Sequence, residues 1–426
     1  RQAGRLQAPP GVLTSSASEE KRVALTKTPM TPVERRAVGA LALLYSFRML
    51  GLFMVLPLLA LYAADMPGGT PLMIGLALGA YGFSQALLQI PLGWLSDRVG
   101  RVPVILGGLL MFAFGSLVAG LAESVQGIAL GRFLQGAGAI AGSVMALVAD
   151  LTDDEQRTKA MAIVGASIGV SFALSLVLGP VVAAFSGLQG VFYLTAVLAT
   201  LGVAIVFFGV PRGVQSRHHD EVGAQPGMIG KVLADPSLRR LDFGVFSLHF
   251  ILTASFLVIP FAIEDVLEIG REAHWKVYLP VLIASLLGML PLLRLSERHG
   301  QVRAVLLVSI ALLVLSVAGV TLLAIPAVLY LALWLYFVAV NYLEASLPSL
   351  VSKAVFPGGK GTALGVYSTS QFIGAFCGGA SGGWVLQQGG EQALFLLCLV
   401  PGLLWIASSW RLVAAPRRGD AVMAGG

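Results

Sequence analysis

Four charged or titratable side chains stand inside long apolar runs of this 426-residue chain: Arg48, Arg132, His249 and Glu344. A charge at the centre of a hydrocarbon layer costs about 2.5–3.5 kcal/mol on insertion scales, so such residues face a wet cavity or a partner. Arg48 lies about 17 Å into its run and Glu344 about 12 Å into its own, at 1.5 Å per residue. A buried carboxylate exchanges a proton as its surroundings change, because burial raises its pKa and a nearby cation lowers it. Glu344 is therefore the candidate proton carrier, with a polar contact that only orients helices as the alternative. His249 titrates in the right range, although a lone histidine in a span also serves as a helix-to-helix hydrogen bond. Arg132, about 11 Å deep, reads as an anchor near the rim of its run. Asn341 stands three residues before Glu344 on the same helical face, where it holds that carboxylate or meets a substrate.

Two further sets complete the candidates. Tyr45, Tyr81, Gln85, Gln89, Gln135, Tyr367 and Gln371 lie in apolar runs. They supply either the few polar contacts of a mostly apolar pocket or hydrogen bonds between helices. Asp97, Arg98 and Arg101 sit in a short polar gap, Leu95-Ser96-Asp97-Arg98-Val99-Gly100-Arg101, that returns as Leu295-Ser296-Glu297-Arg298-His299-Gly300-Gln301. Such an internal repeat between apolar runs marks a duplicated membrane bundle. Gly93 and Gly100 suit close packing and a tight turn.

The elements that position these residues are apolar helices. The chain is 57% hydrophobic and 12% charged, against about 25% charged in soluble domains, so lipid is part of its solvent. A span needs about 20 mostly apolar residues, and twelve runs qualify: 37–63, 72–95, 102–122, 125–149, 159–186, 189–210, 242–264, 276–295, 303–324, 326–352, 362–386 and 391–413. At these lengths only helices satisfy the backbone in lipid. The expected fold is an all-α membrane protein with twelve transmembrane helices in two six-helix halves. Residues 1–33 read as a disordered tail, 34–210 as the first bundle, 211–241 as a linker, 242–413 as the second bundle and 414–426 as a tail. Residues 228–235 in the linker suit a short interfacial helix. Met30 is expected as the native start, with 1–29 an upstream extension.

Lysine and arginine set the orientation. Of the 28, only Arg271 and Lys276 fall in gaps on one side, and Arg48 and Arg132 fall inside spans; the rest lie in the tails, the linker and the gaps of the other side. Both termini and the linker are therefore expected on the cytoplasmic face. Cys377 and Cys398 both lie in apolar runs and read as small core residues. There is no Walker loop, His218-His219 is too short for a metal site, and the glycines at 136–142 and 378–383 read as helix packing, not nucleotide binding.

The segment Gly93-Trp94-Leu95-Ser96-Asp97-Arg98-Val99-Gly100-Arg101 resembles the loop between spans two and three of the major facilitator superfamily, with Val102 where that family usually has lysine. Gly131-Arg132-Phe133-Leu134-Gln135-Gly136 resembles its span-four motif. Leu178-Gly179-Pro180-Val181-Val182-Ala183-Ala184 resembles its antiporter motif, with alanines in place of paired glycines. Residues 47–57, 150–162, 274–278 and 361–372 narrow the resemblance to the YajR-like drug-efflux group, over about 30–413. The soluble domain that follows span twelve in that group's eponymous member is expected to be lacking here.

The resemblance implies a proton-driven exporter of the bacterial cytoplasmic (inner) membrane, working by alternating access. It implies that Asp97, Arg101 and Asp150 latch one conformation, Asp97 facing the start of span eleven near Thr362. An ordinary charged turn is the plainer reading of that cluster. It also implies proton coupling or cavity shaping for Arg132, a hinge at Gly179 and Pro180, and a central cavity lined by spans one and ten. Arg48 is then expected beside Glu344, tuning its proton affinity. Small amphipathic, drug-like compounds suit so apolar a lining better than sugars. The partners expected are lipid, a small-molecule substrate and protons, with no nucleic acid, no cofactor beyond the proton gradient and a monomeric chain. A proton-linked importer, a sugar or lipid exporter and a non-transporting membrane sensor stand as alternatives. An enzyme would need a clustered acid/base or metal set, and these residues are scattered.

Overall fold

The computed structural model describes residues 29–211, 226–356 and 358–410. Most of the expected N-terminal tail, His218-His219 and the expected C-terminal tail lie outside the described residues.

The first helix, α1 (Pro32–Met54), begins on a capping box. Thr31 Oγ1 accepts from the Glu34 backbone N–H at 3.2 Å, and Glu34 Oε2 accepts from the Thr31 N–H at 2.8 Å. Pro32 takes the first helical position, where a missing N–H costs nothing. Pro57 then interrupts the helix: its ring cannot donate and clashes with the carbonyl four residues back. The chain turns at 55–58 and resumes as α2 (Leu59–Ala64). Next come α3 (Pro71–Val99), α4 (Arg101–Gly120), α5 (Val125–Ala137), α6 (Ala141–Asp150) and α7 (Asp154–Gly209). The expected interfacial helix is present as α8 (Pro226–Ala234). The second half runs α9 (Pro236–Ser255), α10 (Ile259–Leu267), α11 (Trp275–Glu297), α12 (Val302–Leu322), α13 (Pro326–Ala354) and α14 (Lys360–Ser409).

The halves repeat their backbone devices. Phe53-Met54-Val55-Leu56-Pro57 returns as Phe256-Leu257-Val258-Ile259-Pro260, and the chain breaks at both, with α9 and α10 bent by 40°. Gly100 (φ 99°) and Gly300 (φ 70°) turn the two polar gaps. Gly187 (φ 65°) and Gly390 (φ 67°) break the two longest helices. Only glycine adopts such angles at little cost.

Nine helices among the described residues are long and apolar enough to cross a membrane, or ten with α9 and α10 as one bent span. Helix α7 runs over 56 residues but breaks at Gly187, which leaves two stretches, each long enough for a hydrocarbon layer of about 30 Å. The twelve-run reading divides α7 and α14 at Gly187 and Gly390. The backbone of α7 is helical through Gly179 and Pro180, the expected hinge, and breaks at Gly187. A β-carbon on Gly179 would stand 2.7 Å from the Met54 carbonyl oxygen, so this glycine admits a close approach of α1.

The halves meet along α3 and α14. A β-carbon on Gly75 would lie 2.1 Å from the Gly379 oxygen, and one on Gly379 would lie 2.4 Å from the Gly75 oxygen. Gly79 faces Phe376, Gly82 faces the Phe372 carbonyl, and the Leu72 N–H donates to Gln387 at 3.3 Å. Small residues four apart let helix backbones touch. All these contacts lie toward the end of the bundle away from the Asp97 gap. On the other half of α3, Leu87, Leu95 and Val99 are exposed.

Candidate functional site

Two polar centres occupy the bundle, one in each half. In the first, Arg48 is fully buried (0% exposed). Its Nη2 donates to the Tyr81 hydroxyl at 2.9 Å, to Gln85 Oε1 at 2.9 Å and to the Gly138 carbonyl at 3.2 Å. The i, i+4 spacing then lets Gln85 Nε2 donate to Gln89 Oε1 at 2.9 Å. Arg132 lies 5.1 Å over the Tyr81 ring and donates to Gln135 Oε1 at 3.0 Å, while Gln135 Nε2 donates to Ser116 Oγ at 2.8 Å. Arg48 also sits 5.5 Å from the Phe112 ring centroid. Among the described residues neither arginine pairs with a carboxylate; aromatic faces and neutral oxygens hold both. Tyr45 is buried in the same core.

The second centre is titratable. His249 Nε2 lies 3.1 Å from Glu344 Oε1 and 2.8 Å from Gln371 Nε2. His249 Nδ1 is 3.2 Å from the Val245 carbonyl, which can only accept, so Nδ1 carries a proton. Gln371 Nε2 can only donate, so His249 Nε2 accepts from it while lying beside Glu344 Oε1. The Glu344 side chain is 39% exposed. Asn341 Nδ2 donates to Ser285 Oγ at 3.0 Å on α11 and is not seen holding Glu344. The Tyr367 hydroxyl is buried without a hydrogen-bond partner among the described residues.

The expected pairing of Arg48 with Glu344 is corrected by these contacts. Both side chains lie deep, but Arg48 turns into its own half and Glu344 meets His249. Depth follows from counting residues, whereas the neighbour depends on which way each helix face turns.

At the Asp97 gap, Arg101 pairs with Asp97 one turn away, with Asp150 at 3.4 Å and with Ser96 Oγ at 2.9 Å. Asp97 meets Arg101 and not the start of α14. Arg98 turns away and stacks 3.6 Å over the Trp94 ring. Gly100 makes the turn as expected, but no atom lies within 4 Å of a β-carbon placed on Gly93, so close packing is not its reason.

The opposite end carries residues the sequence reading left out of the site. Arg271 Nη1 meets Asp65 Oδ2 at 2.9 Å across the two halves, with Glu264 at 3.7 Å and the Tyr62 ring at 5.1 Å. Their signal in the sequence was slight: a single arginine among four acids in an otherwise cation-poor gap. Asp242 was also passed over. It heads an apolar run, yet α9 begins six residues earlier at Pro236 and leaves Asp242 7% exposed.

A duplicated all-helical bundle with buried charges in both halves is the architecture of a membrane transporter. The family model of the Major Facilitator Superfamily matches residues 41–355 and again 243–424, and this chain belongs to that family, whose members are transporters and not enzymes. It is 44% identical over 380 residues to the "Inner membrane transport protein YajR" of Escherichia coli (strain K12), covering 88% of this chain and 83% of that one. It is 27% identical to a "Multidrug resistance protein MdtH" of Aeromonas hydrophila, covering 78% and 83%. Among solved structures, a bacterial homolog to the human lysosomal transporter Spinster, in an inward-facing and occupied conformation, superposes with a TM-score of 0.74 at 14% identity, covering 91% and 98%. That likeness concerns the fold.

Proposed function

We propose that this transporter exports small amphipathic compounds across a bacterial inner membrane in exchange for protons. The observation that carries the reading is the His249–Glu344 contact at 3.1 Å, a partly exposed pair of titratable side chains beside Gln371. The similarity to YajR and to a multidrug resistance protein supports the direction. The charge asymmetry of the gaps supports cytoplasmic termini, so the arrangement described here is closed on the outer side and parted at the inner side. In it Glu344 gives its proton to the cytoplasm and the cavity takes substrate. After the switch, the pair meets the outer solution and is reprotonated as substrate leaves. Asp97, Arg101 and Asp150 then latch the inner side against α14, whose N-terminal dipole favours a carboxylate. Arg48 and Arg132 are sealed away from solvent and shape the first half; they do not select the substrate's charge.

The test uses everted membrane vesicles with an acidic lumen and a pH-sensitive dye, challenged with lipophilic cations, neutral antibiotics and sugars. A lipophilic drug-like compound should discharge the gradient in vesicles with native protein. Glu344→Gln should abolish that discharge. Full-rate uphill efflux by Glu344→Gln would end the proton assignment.

A further inference from the structure

The turn that joins α10 to α11 holds a histidine that the transport reading leaves unused. His274 is 0% exposed and stands at the start of α11. Its Nε2 lies 3.1 Å from the Ile269 carbonyl, which can only accept, so Nε2 carries a proton. Its Nδ1 is buried with no hydrogen-bond partner among the described residues. The chain turns back toward this ring at Glu268, which ends α10 in the left-handed region at φ 56°. No other non-glycine among the described residues has a positive φ. Such a conformation persists where its surroundings hold it in place. Beside the imidazole stands Tyr278, fully buried and edge-on, with ring centroids 6.3 Å apart.

A second proton on this ring finds no acceptor, and a buried cation without a partner is costly. On its own turn Arg271 repels that charge and Glu272 attracts it. The neighbouring elements add little. Lys276 on α11 stacks on Trp275, while Glu264 on α10 and Asp65 and Tyr62 beside α2 engage Arg271. Helix α7 carries no ionisable side chain from 160 to 192. A protonated His274 is therefore better placed in water, which it reaches when the turn lifts. The same turn ties the two halves together. Its 3₁₀ segment Arg271–Ala273 packs against α7 of the first half, and Arg271 meets Asp65 at 2.9 Å. Lifting it parts the halves at the end where they now touch.

We propose that His274 is an acid-sensitive switch of the closed end: the neutral ring seats the turn against α7, and the protonated ring releases it and favours the arrangement open at that end. The closed arrangement accepts only the neutral ring, whereas the open one accepts either form. The open-to-closed ratio is therefore flat well above pH about 6.5, where a free imidazole titrates, and rises about tenfold per pH unit well below it. That this end faces the outer solution rests on the transport reading above; its release by acid does not. On that reading an acidic exterior opens the way for protons to reach Glu344.

The experiment places spin labels at Gln189 on α7 and Gln388 on α14, both exposed, in the purified full chain with Cys377 and Cys398 replaced by alanine. Distances between the labels are measured at pH 7.5 and 5.5. The ratio of long to short distances should rise about tenfold on acidification. His274→Gln, whose amide can still donate to Ile269, should hold the ratio flat, and His249→Gln should keep the rise. An equal rise in His274→Gln, no rise in the native protein, or loss of the rise in His249→Gln would overturn the proposal. Should His274→Gln fail to fold, hydrogen exchange of the native backbone at 269–275 carries the decision. Corrected for the intrinsic rate, that exchange should be faster at pH 5.5, and unchanged protection would overturn the proposal. No dye response in the vesicle experiment with this pH response intact would remove proton-coupled export and keep the switch; the converse would remove the switch alone.

Discussion

The two halves share a backbone and divide the chemistry. Pro57 and Pro260 break corresponding helices, Gly100 and Gly300 turn corresponding gaps, and Gly187 and Gly390 kink the two longest helices. On that common frame the first half buries Arg48 and Arg132 against Tyr81, Gln85 and Gln135, and the second half holds His249, Glu344 and Asp242. A guanidinium keeps its proton throughout the working pH range, whereas imidazole and carboxylate do not. The first half therefore supplies fixed charge, and the second holds the side chains that the proposed proton exchange uses. A duplicated fold needs its symmetry only for the backbone motion.

The most severe way to break this arrangement is to disturb the seam along which the halves meet. At Gly379 the atom opposing a new β-carbon is the Gly75 carbonyl oxygen, at 2.4 Å, and at Gly383 it is the Pro71 oxygen, at 2.3 Å. Backbone cannot rotate aside as a side chain can. Gly379→Val should part α3 from α14 and lower transport by about a hundredfold, since a packed contact does not absorb added methyls. A cysteine at Gln387, beside the seam, should then react faster with a membrane-impermeant maleimide. Native transport by Gly379→Val would show that this contact is not made during the cycle.

Arg48→Lys sharpens the contrast between fixed and titratable halves. Lysine keeps the charge but lacks the planar fork. Its nitrogen stands one bond short of Nη2, the atom that makes all three bonds to Tyr81, Gln85 and Gly138, and each buried acceptor left bare costs about 1–3 kcal/mol. The variant should melt several degrees lower while any remaining transport keeps the native pH profile. Glu344→Gln should do the reverse, with melting nearly unchanged and proton coupling gone. Identical patterns in the two variants would undo the division drawn between the halves.

How much of this was legible in the sequence follows the same line. The repeated polar gap, the apolar runs and the depth of Arg48 and Glu344 are one-dimensional facts, readable by counting. Gln85 and Gln89 were legible as neighbours because i and i+4 share a helix face, and they bond. The glycines at 378–383 were legible as packing, and Gly378 and Gly379 do lie against Phe250 and Gly75. Contacts between helices were not legible, because the rotation of each helix about its axis is set by all its neighbours. That is why Arg48 was matched with the wrong partner and Arg271 with none. Asp242 was lost for a different reason: hydropathy marks where lipid begins, whereas α9 starts at Pro236, capped by Asp235 through bonds of 2.8 Å and 3.2 Å to the next turn.

The smallest expected effect belongs to the ion pair that joins the halves at the closed end. Arg271 is 29% exposed and Asp65 is 70% exposed at the side chain, so water and salt screen the attraction to about 0–1 kcal/mol. Glu264, in the same half, holds the guanidinium in place before Asp65 and the Tyr62 ring arrive, which lowers the entropy lost on pairing. Arg271→Ala should therefore shift the balance between closed and open ends by no more than about fivefold. The shift should fade as ionic strength rises, and Asp65→Asn should add little to it. Labelling of the Gln387 cysteine at low and high salt measures this directly. Because the glycine seam is packed backbone and the ion pair is screened charge, only the second should respond to salt. A salt-independent effect of Arg271→Ala would assign its role to stacking on Tyr62 instead of to charge.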